Sequence, residues 1–161
     1  AGVTLVFLAV AAWSMRHFVH QLLLVAGVGP TSVEISDHPL YPGCRYKVFL
    51  TQAGIVSIEK LKIALICDEE ATYRQGTDVR TEIRRVFEVS IFPQQAVEIK
   101  PGVPFEYEGE VELPQDVMHS FRSNNNLVQW KFIVEGESAG WSFQRNFPVV
   151  VYPQRVDRMG P

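Results

Sequence analysis

From Ser32 onward, apolar and polar residues alternate with a period of two, in short runs separated by Pro, Gly, Asn and Asp. That spacing predicts β-strands, because successive side chains of a strand point to opposite faces. The clearest run is Phe105–Leu113, where Phe105, Tyr107, Val111 and Leu113 alternate with Glu106, Glu108, Glu110 and Glu112. A helix would spread those glutamates around its circumference. Further strands are predicted at Ser32–Ser36, Arg45–Gln52, Ile58–Cys67, Val79–Phe92, Leu127–Glu135 and Trp141–Tyr152. Leu61, Ile63, Leu65 and Cys67 share one face, as do Val128, Trp130, Phe132 and Val134. In Val79–Phe92 the expected apolar face is Ile83, Phe87, Val89 and Ile91, with Arg80, Glu82, Arg84 and Glu88 opposite. About seven alternating strands and almost no helical period after Pro30 predict an all-β, antiparallel, two-sheet sandwich of immunoglobulin-like type.

The first thirty residues follow another pattern. Val3–Trp13 is almost wholly apolar, and Leu22–Val28 forms a second apolar stretch. The first run is shorter than the roughly 20 residues a membrane helix needs. It reads as the tail of a transmembrane helix, with Trp13 at the interface and Arg16, His17 and His20 just outside. The positive-inside tendency then puts the β-domain in the cytoplasm. A signal peptide cleaved after Ala11 and a helix packed on the domain are the competing readings; Phe18, Leu22 and Val25 recur at helical spacing. The expected organisation is a hydrophobic helical segment over 1–30, a β-sandwich over 31–153 and a flexible tail over 154–161.

Composition narrows the function classes. The 161 residues suffice for one domain with a full core. Net charge is −3 and the pI about 5.8, and Arg84-Arg85 is the only basic doublet. Nucleic-acid binding needs clustered excess cations and is disfavoured. Cys44 and Cys67 read as two buried thiols or as one disulfide, and no Cys/His spacing suits zinc. His38, His119, Cys44 and Ser120 form no nucleophile motif, and no Gly-x-Ser-x-Gly or phosphate-cradling loop occurs. No catalytic residue, cofactor, metal or small-molecule substrate is implied.

The best candidate for binding is the polar stretch Asp68–Asp78, expected as a surface loop, with Asp68, Glu69, Glu70, Tyr73, Arg74 and Asp78 as its contact residues. Its acidic residues match no calcium-loop spacing. The glutamate row of 106–112 reads as a solvated face paired with Lys131, Arg80 or Arg84 on adjacent strands.

Within Phe105–Gly136, a strand ends in Leu113-Pro114, Ser120-Phe121 follows, then the polar hairpin Asn124–Asn126 and a strand centred on Trp130. This unit, with Val33–Ser36 and Gly43–Gln52 before it, resembles arrestin-like domains, and bacterial membrane-tethered ones more than animal arrestins. The resemblance covers roughly residues 32–153. It implies an arrestin-like sandwich that acts by protein–protein contact, as a membrane-tethered adaptor or scaffold. The phosphate-sensing basic residues of the animal proteins have no counterpart here. A secreted or periplasmic Ig-like module binding an envelope or polysaccharide partner, and a hydrolase using the polar loops, are the alternatives.

Overall fold

The computed structural model describes residues 7, 10–19, 27–55, 57–100, 102–138 and 141–153. Eight strands follow in chain order: β1 (Thr31–Ile35), β2 (Arg45–Gln52), β3 (Ser57–Gln75), β4 (Asp78–Glu98), β5 (Phe105–Glu112), β6 (Phe121–Arg122), β7 (Asn126–Ser138) and β8 (Trp141–Val149). They form two antiparallel sheets: a small one ordered β1-β2-β5, and a large one ordered β4-β3-β7, with β8 and the two-residue β6 on the far side of β7. The all-β sandwich expected from the alternation is present, with β6 as a short strand that the pattern does not signal.

The core lies between the sheets. Tyr46, Val48 and Leu50 of β2 and Val111 of β5 face Leu61, Ile63, Leu65 and Cys67 of β3 and Val128, Trp130, Phe132 and Val134 of β7. Trp130 is fully buried, tilts against Phe87 at 5.2 Å and donates its indole N–H to the Met118 carbonyl at 2.8 Å. Burying so large a side chain requires that its one donor find an acceptor. Gln52, the one buried polar side chain among the described residues, is satisfied likewise: its amide donates to the carbonyls of Val28 and Ala53, and its oxygen accepts from Thr31. Arg145 of β8 reaches Gly29 and Thr31, tying the edge of one sheet to the start of the other.

Three expectations change. Asp68–Asp78 is no loop: β3 continues to Gln75, only Gly76 and Thr77 turn, and β4 begins at Asp78. Ile83 does not share a face with Phe87. Cys67 pairs with Phe87 but Asp68 with Arg85, so Val86 is an extra residue and the alternation reverses there. Ile83 is accordingly 68% exposed. Cys44 is exposed while Cys67 is buried, and the two are free thiols.

Residues 10–19 are helical, and Phe7, Val10, Trp13, Met15, Phe18 and Val19 are all exposed. Among the described residues no helix is long and apolar enough to cross a membrane. His20, Leu22, Val25 and the tail 154–161 lie outside the described residues.

Replacing Trp130 by alanine removes the side chain that fills the space between the sheets and should destabilise the domain by about 3–5 kcal/mol. Phe121→Ala, on an exposed residue of β6, should cost under about 1 kcal/mol. Denaturant melts compare the two; a Trp130→Ala loss below half the stated range would show that the residue does not hold the sheets together.

Candidate functional site

Strands β3 and β4 outgrow the sandwich. Pairing of β3 with β7 stops at Ala71, opposite Asn126, so Thr72–Gln75 pair with β4 alone. The result is a two-stranded arm closed by Gly76 in the left-handed region (φ 67°), a conformation that favours glycine. Five of the six candidate residues, Asp68, Glu69, Glu70, Tyr73 and Arg74, lie on β3, and Asp78 opens β4.

Alternation divides them between two faces. Asp68, Glu70, Thr72 and Arg74 share one face with Arg85, Ile83, Thr81 and Val79, their cross-strand partners. Glu69 and Tyr73 lie on the other, with Arg84, Glu82 and Arg80. The acidic run is therefore split, and among the described residues no three His, Cys, Asp or Glu side chains converge as metal ligands. Thr72 and Thr81 hydroxyls meet at 3.0 Å, and the Tyr73 hydroxyl donates to Glu82 at 2.5 Å, a bond that holds the phenol pKa above its usual value. Among the described residues, Glu69, Glu70, Arg74, Asp78, Arg80 and Arg84 carry no ion pair. The arm also leaves Val79 62% exposed, and Tyr73 and Val86 well exposed. Unpaired charges of both signs interleaved with apolar side chains make a surface suited to contact with another macromolecule.

Asp68 has a different role. It sits at the base of the arm with its side chain only 14% exposed, 2.9 Å from Lys131 and 3.2 Å from Arg85. Arg85 also reaches Glu88, which Lys62 meets at 2.6 Å. This five-membered network surrounds the buried Ala64, Ile66 and Ile133 on the outer face of the large sheet. Burial pushes the Asp68 carboxyl pKa up, but hydrogen bonds and charge from Lys131 and Arg85 outweigh it and leave it below the usual value. Hydrogen bonds from Lys62 and Arg85 lower that of Glu88.

The glutamate row lies on the solvent face of β5, an edge strand. Its partners are residues of β2: Arg45 bonds Glu112 at 2.8 Å and approaches Glu110, and Lys47 bonds Glu108 at 3.0 Å. The expected partners do other things, since Lys131 belongs to the Asp68 network and Arg80 and Arg84 stand on the arm. Sequence order hides this, because β2 is the neighbour of β5 only after the chain has crossed between sheets.

Two of the four residues that could supply a nucleophile or base, Ser120 and His38, have structural partners. Ser120 accepts the Val151 N–H at 2.9 Å, and His38 accepts that of Val150 at 3.3 Å. Burial pushes the Cys67 thiol up to about 11, so it stays protonated at neutral pH. A cleft of about 280 Å³ beside it is lined mostly by apolar side chains, among them Phe87, Pro114, Val117 and Trp130.

No family model matches the sequence, and no curated protein matches it. Among solved structures, the chain matches Spo0M, the sporulation control protein from Bacillus subtilis, with a TM-score of 0.56 and 12% sequence identity. The match covers 77% of this chain and 50% of that one, so this chain spans half the length of Spo0M. The fold is arrestin-like. At such low identity the likeness speaks for the fold alone.

Both lowered carboxylates stabilise the folded state above their unfolded values, 3.8 for Asp and 4.5 for Glu. That contribution is lost as pH falls through the still lower folded values. Stability should therefore begin to drop as the pH falls below about 4.5 and continue to fall under more acid conditions. Asp68→Asn combined with Glu88→Gln should flatten that acid limb, whereas Glu108→Gln should change stability by under about 1 kcal/mol. Urea melts across this range check it; an unchanged acid limb in the double variant would show that the network does not set it.

Proposed function

We propose that this chain is a membrane-tethered, non-catalytic protein–protein interaction module, an adaptor or scaffold of arrestin-like type. The observation that carries tethering is the helix of residues 10–19 with Phe7 before it, where six large apolar side chains are exposed together. Single exposed apolar residues are ordinary, but a contiguous set marks a surface that needs a partner or a lipid phase. Trp13 stacks on His17 at 5.8 Å, and Arg16 lies beside them, an aromatic and basic grouping suited to the headgroup region. With Arg16 on the near side of the apolar run, the β-domain faces the cytoplasm.

Two features support a binding role without catalysis. Ser120 and His38 are occupied in holding the chain around Val150 and Val151, and the arm offers unpaired charge and apolar surface on a rigid base. Spo0M, by its name a sporulation control protein, gives a control role a precedent on the same fold. Partner contact is assigned to the arm, with Glu69, Glu70, Tyr73, Arg74 and Asp78 as contact residues and Asp68 as the anchor of its base.

Flotation with vesicles tests tethering. The full chain should rise with phosphatidylcholine vesicles containing about one-third anionic lipid, and Trp13→Asp/Phe18→Asp should remain at the bottom of the gradient. Equal flotation of both proteins, or of neither, overturns the tether. For the arm, the wild type should specifically capture a protein from its native membranes, and a Glu69→Lys/Glu70→Lys/Arg74→Glu variant should bind that protein at least about tenfold more weakly, a change of roughly 1.4 kcal/mol. Undiminished capture by a folded variant overturns the assignment.

A further inference from the structure

Strand β4 closes its sheet: among the described residues it pairs with β3 on one side and with no strand on the other. The direction of its free main-chain groups follows from one hydrogen bond. The Thr72 N–H donates to the Asn125 carbonyl at 2.7 Å, away from β4, although Thr72 is the register partner of Thr81. A strand residue points its N–H and C=O to the same side, so Thr72 and Thr81 form a non-hydrogen-bonded pair. Thr81 therefore aims both main-chain groups outward. Val79 and Ile83, two residues to either side, do the same.

The side chains along this edge are complementary to their own reverse order. Residues 78–84 are Asp-Val-Arg-Thr-Glu-Ile-Arg, and all are exposed. Laid antiparallel against itself with Thr81 opposite Thr81, the segment sets Val79 against Ile83, Arg80 against Glu82 and Asp78 against Arg84, each pair occurring twice. One face of the joined ribbon then carries Val79, Thr81 and Ile83, and the other carries four pairs of opposite charge. Cross-strand pairs of these kinds each add to sheet stability.

We infer that residues 78–84 of β4 join a second copy of this chain, as an antiparallel strand pair about a two-fold axis at Thr81. The neighbouring symmetric registers are worse. Centring on Arg80 sets Asp78 against Glu82, and centring on Glu82 sets Arg80 against Arg84, so both place like charges opposite each other. Centring on Ile83 brings Arg80 against Val86, the bulged residue that interrupts the ladder. A self-complementary patch is what a two-fold interface requires. The contact is small, which makes the dimer weak and concentration-dependent. It stands independently of membrane tethering, and it shares Asp78 with the partner contact assigned to the arm.

Sedimentation of the full chain in detergent micelles tests this. The wild-type protein mass should rise from 18.2 kDa toward twice that value as concentration increases. Asp78→Arg alone sets two arginines opposite each other, and Arg84→Asp alone sets two aspartates together, so each variant should dimerise at least about tenfold more weakly. Mixing them at equal concentration restores both opposite-charge pairs and should restore the dimer. The inference is overturned by a wild type that stays monomeric to roughly 1 mM, by single variants that associate as the wild type does, or by a mixture that remains monomeric. Vesicle flotation of the same proteins reads tethering separately.

Discussion

The burial of Trp130, Phe132 and Val134 of β7 against β2 and β5 sets what every other part of the chain can do. An indole placed between two sheets and bonded to the Met118 carbonyl fixes where β7 lies relative to the segment leading into β6. β7 in turn fixes β3, which pairs with it over twelve successive residues, Lys60 to Ala71. Strand length then decides the shape. β3 and β4 run to 19 and 21 residues, while the small sheet offers strands of 5, 8 and 8. At about 3.3 Å per residue the small sheet cannot cover them, so the ends of β3 and β4 leave the sandwich as an arm.

That geometry explains which parts of the fold are legible in the sequence. A strand announces itself when one of its faces is buried, because selection for burial writes a period of two. Phe105–Leu113 and Leu127–Glu135 carry that mark, and the alternation locates both strands, although β7 runs three residues further to Ser138, along with the pair of apolar faces that meet in the core. Asp68–Asp78 carries none. Beyond Ala71 the ribbon is solvated on both faces, so its residues need not alternate, and a polar run with Gly76 looks like a loop. Polarity alone singles out the candidate residues there, and it says nothing of their true setting on two paired strands. The Val86 bulge is equally hidden, since one inserted residue preserves local alternation on each side and reverses only the relation between them. Gly136 is a further case. As a glycine it has no side chain to mark a strand, yet it lies within β7, where the Phe143 ring occupies the space a Cβ would need.

Charge is used in two ways on the two sheets. On the large sheet, Asp68, Arg85, Glu88, Lys62 and Lys131 are partly withdrawn from water and share hydrogen bonds, so their mutual attraction is less screened than that of surface pairs. Arg85 and Asp68 also clamp the strands at the bulge, where the ladder between β3 and β4 is interrupted, which stiffens the base from which the arm leaves. On the small sheet, Arg45 and Lys47 meet glutamates with more than half of each side chain exposed, and such pairs contribute little to stability. The glutamates there govern what can approach.

The sheet edges differ in how they are guarded. An open edge invites another strand, and proteins block it with proline, irregular pairing or like charge. β5 presents Glu106 to Glu112 in a row, which repels a second copy of itself. β8 carries Pro148, whose missing N–H is tolerated only where no neighbour needs it, and the inner half of β4 holds Pro93 and shifts of register. β1 is five residues long. The outer half of β4 has none of these guards. Its charges alternate in sign, its apolar side chains are exposed, and the outward direction of its main-chain groups follows from the Thr72–Asn125 bond. The chain blocks its other edges by such different devices, whereas the segment at 78–84 lies open where the arm carries it clear of the sandwich.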